Sequence, residues 1–300
     1  MTRSWLSSGR DYAHAVRDRA GTVPTLIVLW RLIQWRTCIL LGLHPVIRAH
    51  GASRLRMFPA RGDHGIAKGV FLLRDGYEPS VRSVIDAILR PGDTAMDIGA
   101  NMGLWTLRMA ERVGQSGRVI AFEPGPRTQD RLRDNIALSR VSVVEVHGVA
   151  LGAAAGELVL HTPADSGSAS LGMLEEPAHA QRVRVETLDA VWRAAGSPRV
   201  RLVKMDVEGA EPMVLAGATD FFTASRPVVC CEINPEALAR LGFAPKDVYQ
   251  FFRAHSYCSM IWNKTERRLV PHPYDPGEQA VEDVVFMPHE SSPTMPGALP

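Results

Sequence analysis

From about residue 77 onward, the apolar positions alternate between a helical and a strand period. A helix-period segment over Val81–Leu89 ends at Pro91-Gly92, and the apolar run Thr94–Ile98 reads as a strand. Glycines at 99 and 103 turn the chain into a predicted helix over Leu104–Val113, which Gly117 stops. Arg118–Phe122 is the next strand, Thr128–Ser139 the next helix and Val141–Val146 a third strand. A less regular insert follows, with strand-like runs at Glu157–Leu160 and Arg182–Val185 and a short helix near Leu188–Ala194. The pattern resumes with a strand at Val200–Met205, a helix at Glu211–Leu215, a β-branched strand at Pro227–Ile233 and a helix at Lys246–Ala254. Two closing strands, Tyr257–Ile261 and Val284–Met287, flank a Pro-rich loop. Strands that alternate with helices at this spacing need crossover connections. The expected fold is therefore α/β, a doubly wound and mostly parallel sheet covered on both faces. Ligands of such sheets bind at the carboxyl ends of the strands, where the chain order reverses.

The front of the chain is different. Its most apolar stretch, Val23 to Ile47, is interrupted by Arg31, Gln34, Arg36 and His44, so it is not read as a spanning helix. With Trp30, Trp35 and many Leu and Ile it predicts a helix docked on its own domain, with peripheral contact to a membrane surface through residues 23–47 as the alternative. Residues 1–80 carry twelve Lys or Arg against five Asp or Glu, nearly all of them dispersed Arg. That pattern favours a solvated basic face over a nucleic-acid site, since aromatic stacking residues are not interleaved with the cations beyond Trp30 and Trp35. A composition of 46% apolar and 22% charged residues excludes general disorder. The four cysteines form no C-x-x-C pair, and no signal-peptide pattern is visible, which together fit a reducing cytoplasm. The organisation expected is a mostly helical extension over 1–76, a catalytic domain over 77–290 and a loose tail over 291–300.

Candidate chemistry gathers where the strands end. The first strand runs into Asp97-Ile98-Gly99-Ala100-Asn101-Met102-Gly103. Glycines there let a ligand approach the backbone, and the following helix offers free N–H groups. A dinucleotide site would favour G-x-G-x-x-G, whereas a carboxylate at 97 repels pyrophosphate and suits a cationic ligand such as an amino acid ammonium. The second strand ends at Glu123, where nucleoside-binding sheets accept hydrogen bonds from ribose hydroxyls. The third runs into a small-residue loop, His147 to Gly152, in which Ala150 is placed to wall an adenine ring; an ordinary turn accounts for that loop nearly as well. The fourth ends in Lys204-Met205-Asp206-Val207-Glu208-Gly209-Ala210-Glu211. If a helix starts by Glu208, then Glu208 and Glu211 share one face. Acids at a helix N-terminus explain Glu211 and explain Asp206 poorly. Glu232 adds a carboxylate at the end of the fifth strand. His147, His161 and His255 rank below Asp206 as bases, and Trp105 is read as a core aromatic.

These residues resemble the FkbM-type family of S-adenosylmethionine-dependent methyltransferases over roughly Tyr77 to Met287. The specific pieces are Asp97 to Gly103, Phe122 to Pro124 and Lys204 to Glu211, supported by Tyr77-Glu78-Pro79 and Val284 to Pro288. The resemblance implies a class I methyltransferase-like sheet with an antiparallel last strand. It places S-adenosyl-L-methionine across Asp97, Gly99, Asn101 and Gly103, its ribose on Glu123, and the acceptor near Asp206, Glu208, Glu211 and Glu232. The implied reaction is O-methylation of a hydroxyl on a small molecule, sugar, glycolipid or polyketide. Asp206 or Glu208 would act as base, or the acids would hold a divalent cation such as Mg²⁺. Two other classes stay open: a nicotinamide oxidoreductase, and a nucleic-acid methyltransferase or noncatalytic binding module that uses the basic front.

Overall fold

The alternation of apolar residues within each strand divides the core into two layers. In the computed structural model, which describes residues 23–51, 53–59, 66–162, 179–275 and 280–291, Ala95, Leu202, Val228 and Cys230 face one layer. Met96, Val203, Val229 and Cys231 face the other. A period of two puts successive side chains on opposite faces, so a strand buried on both sides reads as continuously apolar.

The strands are β3 (Thr94–Ile98), β4 (Arg118–Phe122), β5 (Val144–His147), β9 (Val200–Met205), β10 (Val228–Ile233), β11 (Tyr257–Asn263), β12 (Arg268–Pro271) and β13 (Glu282–Pro288). They form one sheet in the order β12-β11-β13-β10-β9-β3-β4-β5. β4, β3, β9 and β10 pair in parallel, while β13 runs antiparallel between β10 and β11. The chain builds outward from β3 to β5 and then returns to β9 on the other side of β3. The order therefore reverses between β3 and β9.

Helices α3 (Pro79–Ile88) and α4 (Leu104–Val113) cover the first face, and α5 (Pro126–Ser139) flanks β5. Helices α6 (Leu188–Ala194), α7 (Glu211–Ala216), α8 (Thr219–Ser225) and α10 (Pro245–Ala254) cover the second. A smaller sheet of β6 (Ala150–Leu151), β7 (Gly156–Thr162) and β8 (His179–Glu186) forms the insert; residues 163–178 and 292–300, including the expected tail, lie outside the described residues.

The front segment holds α1 (Thr25–Leu41), a hairpin of β1 (Val46–Arg48) and β2 (Arg54–Arg56), and α2 (Ile66–Leu73). Trp35, Leu55, Met57 and Phe71 from this segment join Val81, Leu89 and Leu107 in one core. The hairpin is tied to α5: the Arg56 amide donates to Asn135 Oδ1 at 2.7 Å, and the Arg54 amide to Ser139 Oγ at 2.9 Å. The segment thus forms a third layer over the sheet domain.

Candidate active site

At the point where the strand order reverses, the loops after β3 and β9 nearly touch. Gly99 has φ +85°, and a Cβ built on it would lie 1.9 Å from the carbonyl oxygen of Asp206. Only glycine allows this contact. Asn101, also left-handed at φ 49°, caps the turn by accepting the Met102 amide on its own Oδ1 at 2.7 Å. Its backbone amide points at Glu123 and donates to Oε2 at 2.9 Å, while the Gly125 amide donates to Oε1 at 2.9 Å. Burial pushes the Glu123 carboxyl up to about 7 against the pull of these two amides.

A cleft opens here, walled by Gly99, Asn101, Glu123, Ala150, Asp206 and Glu208. Its apolar sides come from Ile98, Phe122, Val149 and Leu151, from Leu160 of β7 and from Ile66 of α2. The last two belong to the insert and the front segment, so both regions outside the repeating pattern shape the cleft.

Asp97 and Gly103, also expected against the donor, do not line this cleft. Asp97 is 1% exposed and takes a hydrogen bond from Thr106 Oγ1 at 2.5 Å, with its Oδ1 unpartnered in the interior. Burial raises its pKa and the ammonium of Lys204 draws it back. Gly103 precedes α4 at φ 93°, where a Cβ would meet Leu132 at 2.6 Å; helix packing explains this glycine.

The acids after β9 separate into different roles. Lys204 is 5% exposed and its Nζ lies 2.7 Å from Asp206 Oδ2. Burial alone would weaken that ammonium's hold on its proton, but Asp206, Asp97 and Glu78 outweigh it and keep Lys204 charged. Glu208 stands at φ 56° on the cleft wall, and burial together with Asp206 pushes it up to about 7. Glu208 and Glu211 do not share a helical face, because α7 begins only at Glu211, with Pro212 in its first turn and left-handed residues at 208 and 209 before it. Glu211 turns back on the loop, its Oε1 accepting the amides of Val207 at 3.1 Å and Gly209 at 3.3 Å. It is 2% exposed and absent from the cleft wall, so it fixes the loop that carries Asp206 and Glu208.

Glu232 lines a second cavity at the end of β10 with Glu78, Ser80, Trp262, Lys264 and Asp283. The Asp206 charge, followed by burial, drives its carboxyl well above the usual range. The sequence reading did not single out Lys204, Glu78, Thr128, Leu160 or Ile66. Of these, Lys204 was visible as the lone cation in an acidic strand end. His147 stacks on Phe122 and bonds Glu145 at 2.8 Å, and Trp105 is buried and donates to Glu78 at 3.2 Å; neither lines the cleft. Among the described residues, no three His, Cys, Asp or Glu side chains are grouped as metal ligands would be. No described helix is long and apolar enough to cross a membrane.

A mostly parallel sheet with an antiparallel strand between β10 and β11, a glycine turn at the order reversal and an acid ending the next strand define an α/β protein of the class I methyltransferase fold. The chain belongs to the FkbM methyltransferase family: the model described as "Methyltransferase FkbM domain" matches residues 97–258. Methyltransferase 1 of Beauveria bassiana is 33% identical over 145 residues, which is 42% of this chain and 58% of that protein. The 2-O-methyltransferase NoeI of Sinorhizobium fredii is 30% identical over 162 residues, 48% of this chain and 65% of that one. The chain thus spans less than two thirds of the length of either. A crystal structure of methyltransferase FkbM from Methylobacillus flagellatus aligns at a TM-score of 0.43 with 15% identity, covering 67% of this chain and 48% of that one, which adds nothing to the topology itself.

Proposed function

We propose that this chain transfers a methyl group from S-adenosyl-L-methionine to a hydroxyl of a small-molecule or glycan acceptor. The observation that carries the reading is the cleft at the order reversal, where Gly99 lets the loops after β3 and β9 meet to form its wall and Glu123 stands where ribose hydroxyls would donate. The carboxylate oxygens of Glu123 each take one amide and keep acceptor capacity. Family relatives act in this way by name: NoeI is a 2-O-methyltransferase, and AglP of Haloferax volcanii, 24% identical over 67% of this chain, is a hexuronic acid methyltransferase.

The bound donor supplies an electrophilic methyl, so the chain's task is alignment and proton removal, of which alignment is worth roughly 7–11 kcal/mol. The acceptor enters the cavity beside Glu232, whose carboxyl feels the charge of Asp206 on the donor-cleft wall. As the acceptor oxygen bonds to the methyl carbon and the sulfur–methyl bond breaks, the hydroxyl proton passes to a carboxylate. Glu208 is that base. It reaches the cleft wall, and its pKa of about 7 suits proton uptake at neutral pH. Asp206, held by Lys204, orients the loop and would supply negative charge to a cationic donor bound in the cleft. The Lys204 ammonium already balances the charge of Asp206, which opposes a divalent cation beside it, so turnover should be the same in chelator and in added Mg²⁺. Glu208→Gln should lower kcat about 10²- to 10⁴-fold, with donor affinity unchanged by calorimetry. The acid limb of the pH–rate profile, rising through pH 7 in the parent, should disappear. A retained limb would exclude Glu208, and an Asp206→Asn variant that keeps full activity would exclude the whole acidic loop.

A further inference from the structure

Helix α1 has two apolar faces, and only one is used. Val28, Leu32, Trp35 and Ile39 pack on the core. Leu26, Leu29, Trp30, Ile33, Leu40 and Leu41 recur at spacings of three, four and seven residues on the opposite side, between 50% and 79% exposed. A continuous exposed stripe of this kind marks an interaction surface. At its flank lies a cavity between α1, the turn at 74–76, the start of α3 and the β11–β12 hairpin. Four arginines reach it: Arg31, Arg74, Arg82 and Arg267.

The acids nearby neutralise these cations only in part. Asp86 reaches Arg82 at 3.7 Å but is shared with Arg108 at 2.6 Å and Arg112 at 3.9 Å, and Asp75 Oδ1 accepts the His50 amide. Arg74 sits over the Phe71 ring at 4.4 Å with its Nη1 buried and without a partner. Burial brings its pKa down to about 10, with the neighbouring Arg31 adding to the fall and Asp75 opposing it. Among the described residues, Arg267 makes no hydrogen bond or ion pair. A cavity of this composition is suited to an anion with several oxygen acceptors, and Arg is the side chain that binds phosphate in a fork.

We infer that α1 lies in the surface of an anionic lipid layer, its stripe among the acyl chains and a lipid phosphate in the arginine cavity beside it. A helix of 17 residues is about 25 Å long, short of the roughly 30 Å hydrocarbon thickness, so it lies on the layer and does not span it. Trp30 within the stripe suits the interfacial region. The inference does not rest on the methyl-transfer reading.

The test is flotation of the full chain with phosphatidylcholine vesicles and with vesicles that also contain phosphatidylglycerol. The expected result is binding to the second kind only, competed by inorganic phosphate more strongly than by chloride at equal ionic strength. Arg267→Gln should weaken vesicle affinity about fivefold, and Arg31→Gln with Arg267→Gln about 25-fold. Trp30→Ser with Ile33→Ser should abolish binding. S-adenosyl-L-methionine affinity, measured in the same preparations, should stay at the parent value and reports that each variant is folded. Failure to float with either vesicle overturns the inference, as does affinity unchanged in the arginine variants. Binding of inorganic phosphate without vesicle binding, or a dimer in sedimentation that the Trp30 variant dissolves while vesicles are ignored, also overturns it.

Discussion

Replacing Lys204 by Met removes the single cation that serves two acids at the order reversal. The ammonium lies 2.7 Å from Asp206, the two side chains are 5% and 18% exposed, and Asp97 behind it is fully buried with one oxygen unpartnered. Removing one partner of a buried pair strands the other charge, at a cost of about 3–5 kcal/mol. The chain can escape part of this cost by protonating a carboxylate. Lys204 now draws the raised pKa of the buried Asp97 back; without it that carboxyl rises further, so the folded state binds protons more tightly than the unfolded one and stability falls as pH rises. Urea unfolding should therefore show a larger loss at pH 8 than at pH 5. Adding Asp206→Asn to Lys204→Met should restore part of it, with a coupling energy of about 0.5–3 kcal/mol. A loss below about 1 kcal/mol, or an equal loss at both pH values, would refute the view that Lys204 holds this acidic site together.

Gly99→Ala places a methyl group 1.9 Å from the Asp206 carbonyl at a left-handed φ, where strain alone costs about 1–2 kcal/mol. It should abolish S-adenosyl-L-methionine binding by calorimetry, with the chain still folded by circular dichroism. Glu211→Ala releases two loop amides and should cost about 1–3 kcal/mol in thermal unfolding. Glu211→Gln retains an acceptor for them and should leave kcat within a few-fold of the parent. Glu123, Glu208 and Glu211 are all raised from 4.5 to about 7, so each contributes most to stability below its unfolded pKa and loses that contribution as pH rises through 7. The melting temperature should fall between pH 5 and pH 8, with a shallower slope in Glu211→Gln.

The strands were legible because each apolar run is buried on both faces and bounded by turn residues: Thr94–Ile98, Arg118–Phe122 and Val200–Met205 end where their sequence pattern says. The strand expected from Val141 begins at Val144, although Val141 and Val143 still pack against the core. Elements stabilised from a distance were not legible. Helix α8 has no local cap; the side chain of Asp189, some thirty residues earlier, takes the amides of Asp220 and Phe221. β12 is four residues at a sheet edge ending in Pro271, a composition that reads as loop. Helix α9 (Pro235–Arg240) had a readable signal in the Asn234-Pro235 start, where Asn234 caps the Ala237 amide. For the site, residue type and strand-end position singled out Glu123, Asp206, Glu208 and Glu232, and all four lie at cavity walls. Whether an acid faces cleft or loop depends on backbone sign at 208 and 209, and that separated Glu208 from Glu211.

The grouping of acids around one lysine also sets which of them can act. Asp206 is the charge that the others feel in common: it is the first cause of the rise at Glu232 and the second at Glu208, and it helps hold Lys204 protonated. An ionised Asp206 therefore keeps its neighbours reluctant to ionise, which is what a proton acceptor working near neutral pH requires. If Asp206 were itself the base, protonating it would release both Glu232 and Glu208 from that repulsion and loosen its own bond to Lys204. Four side chains on two adjacent strand ends would change charge balance in one step. With Glu208 as the proposed proton acceptor the Lys204–Asp206 pair stays intact, and the loop that carries both acids does not have to move.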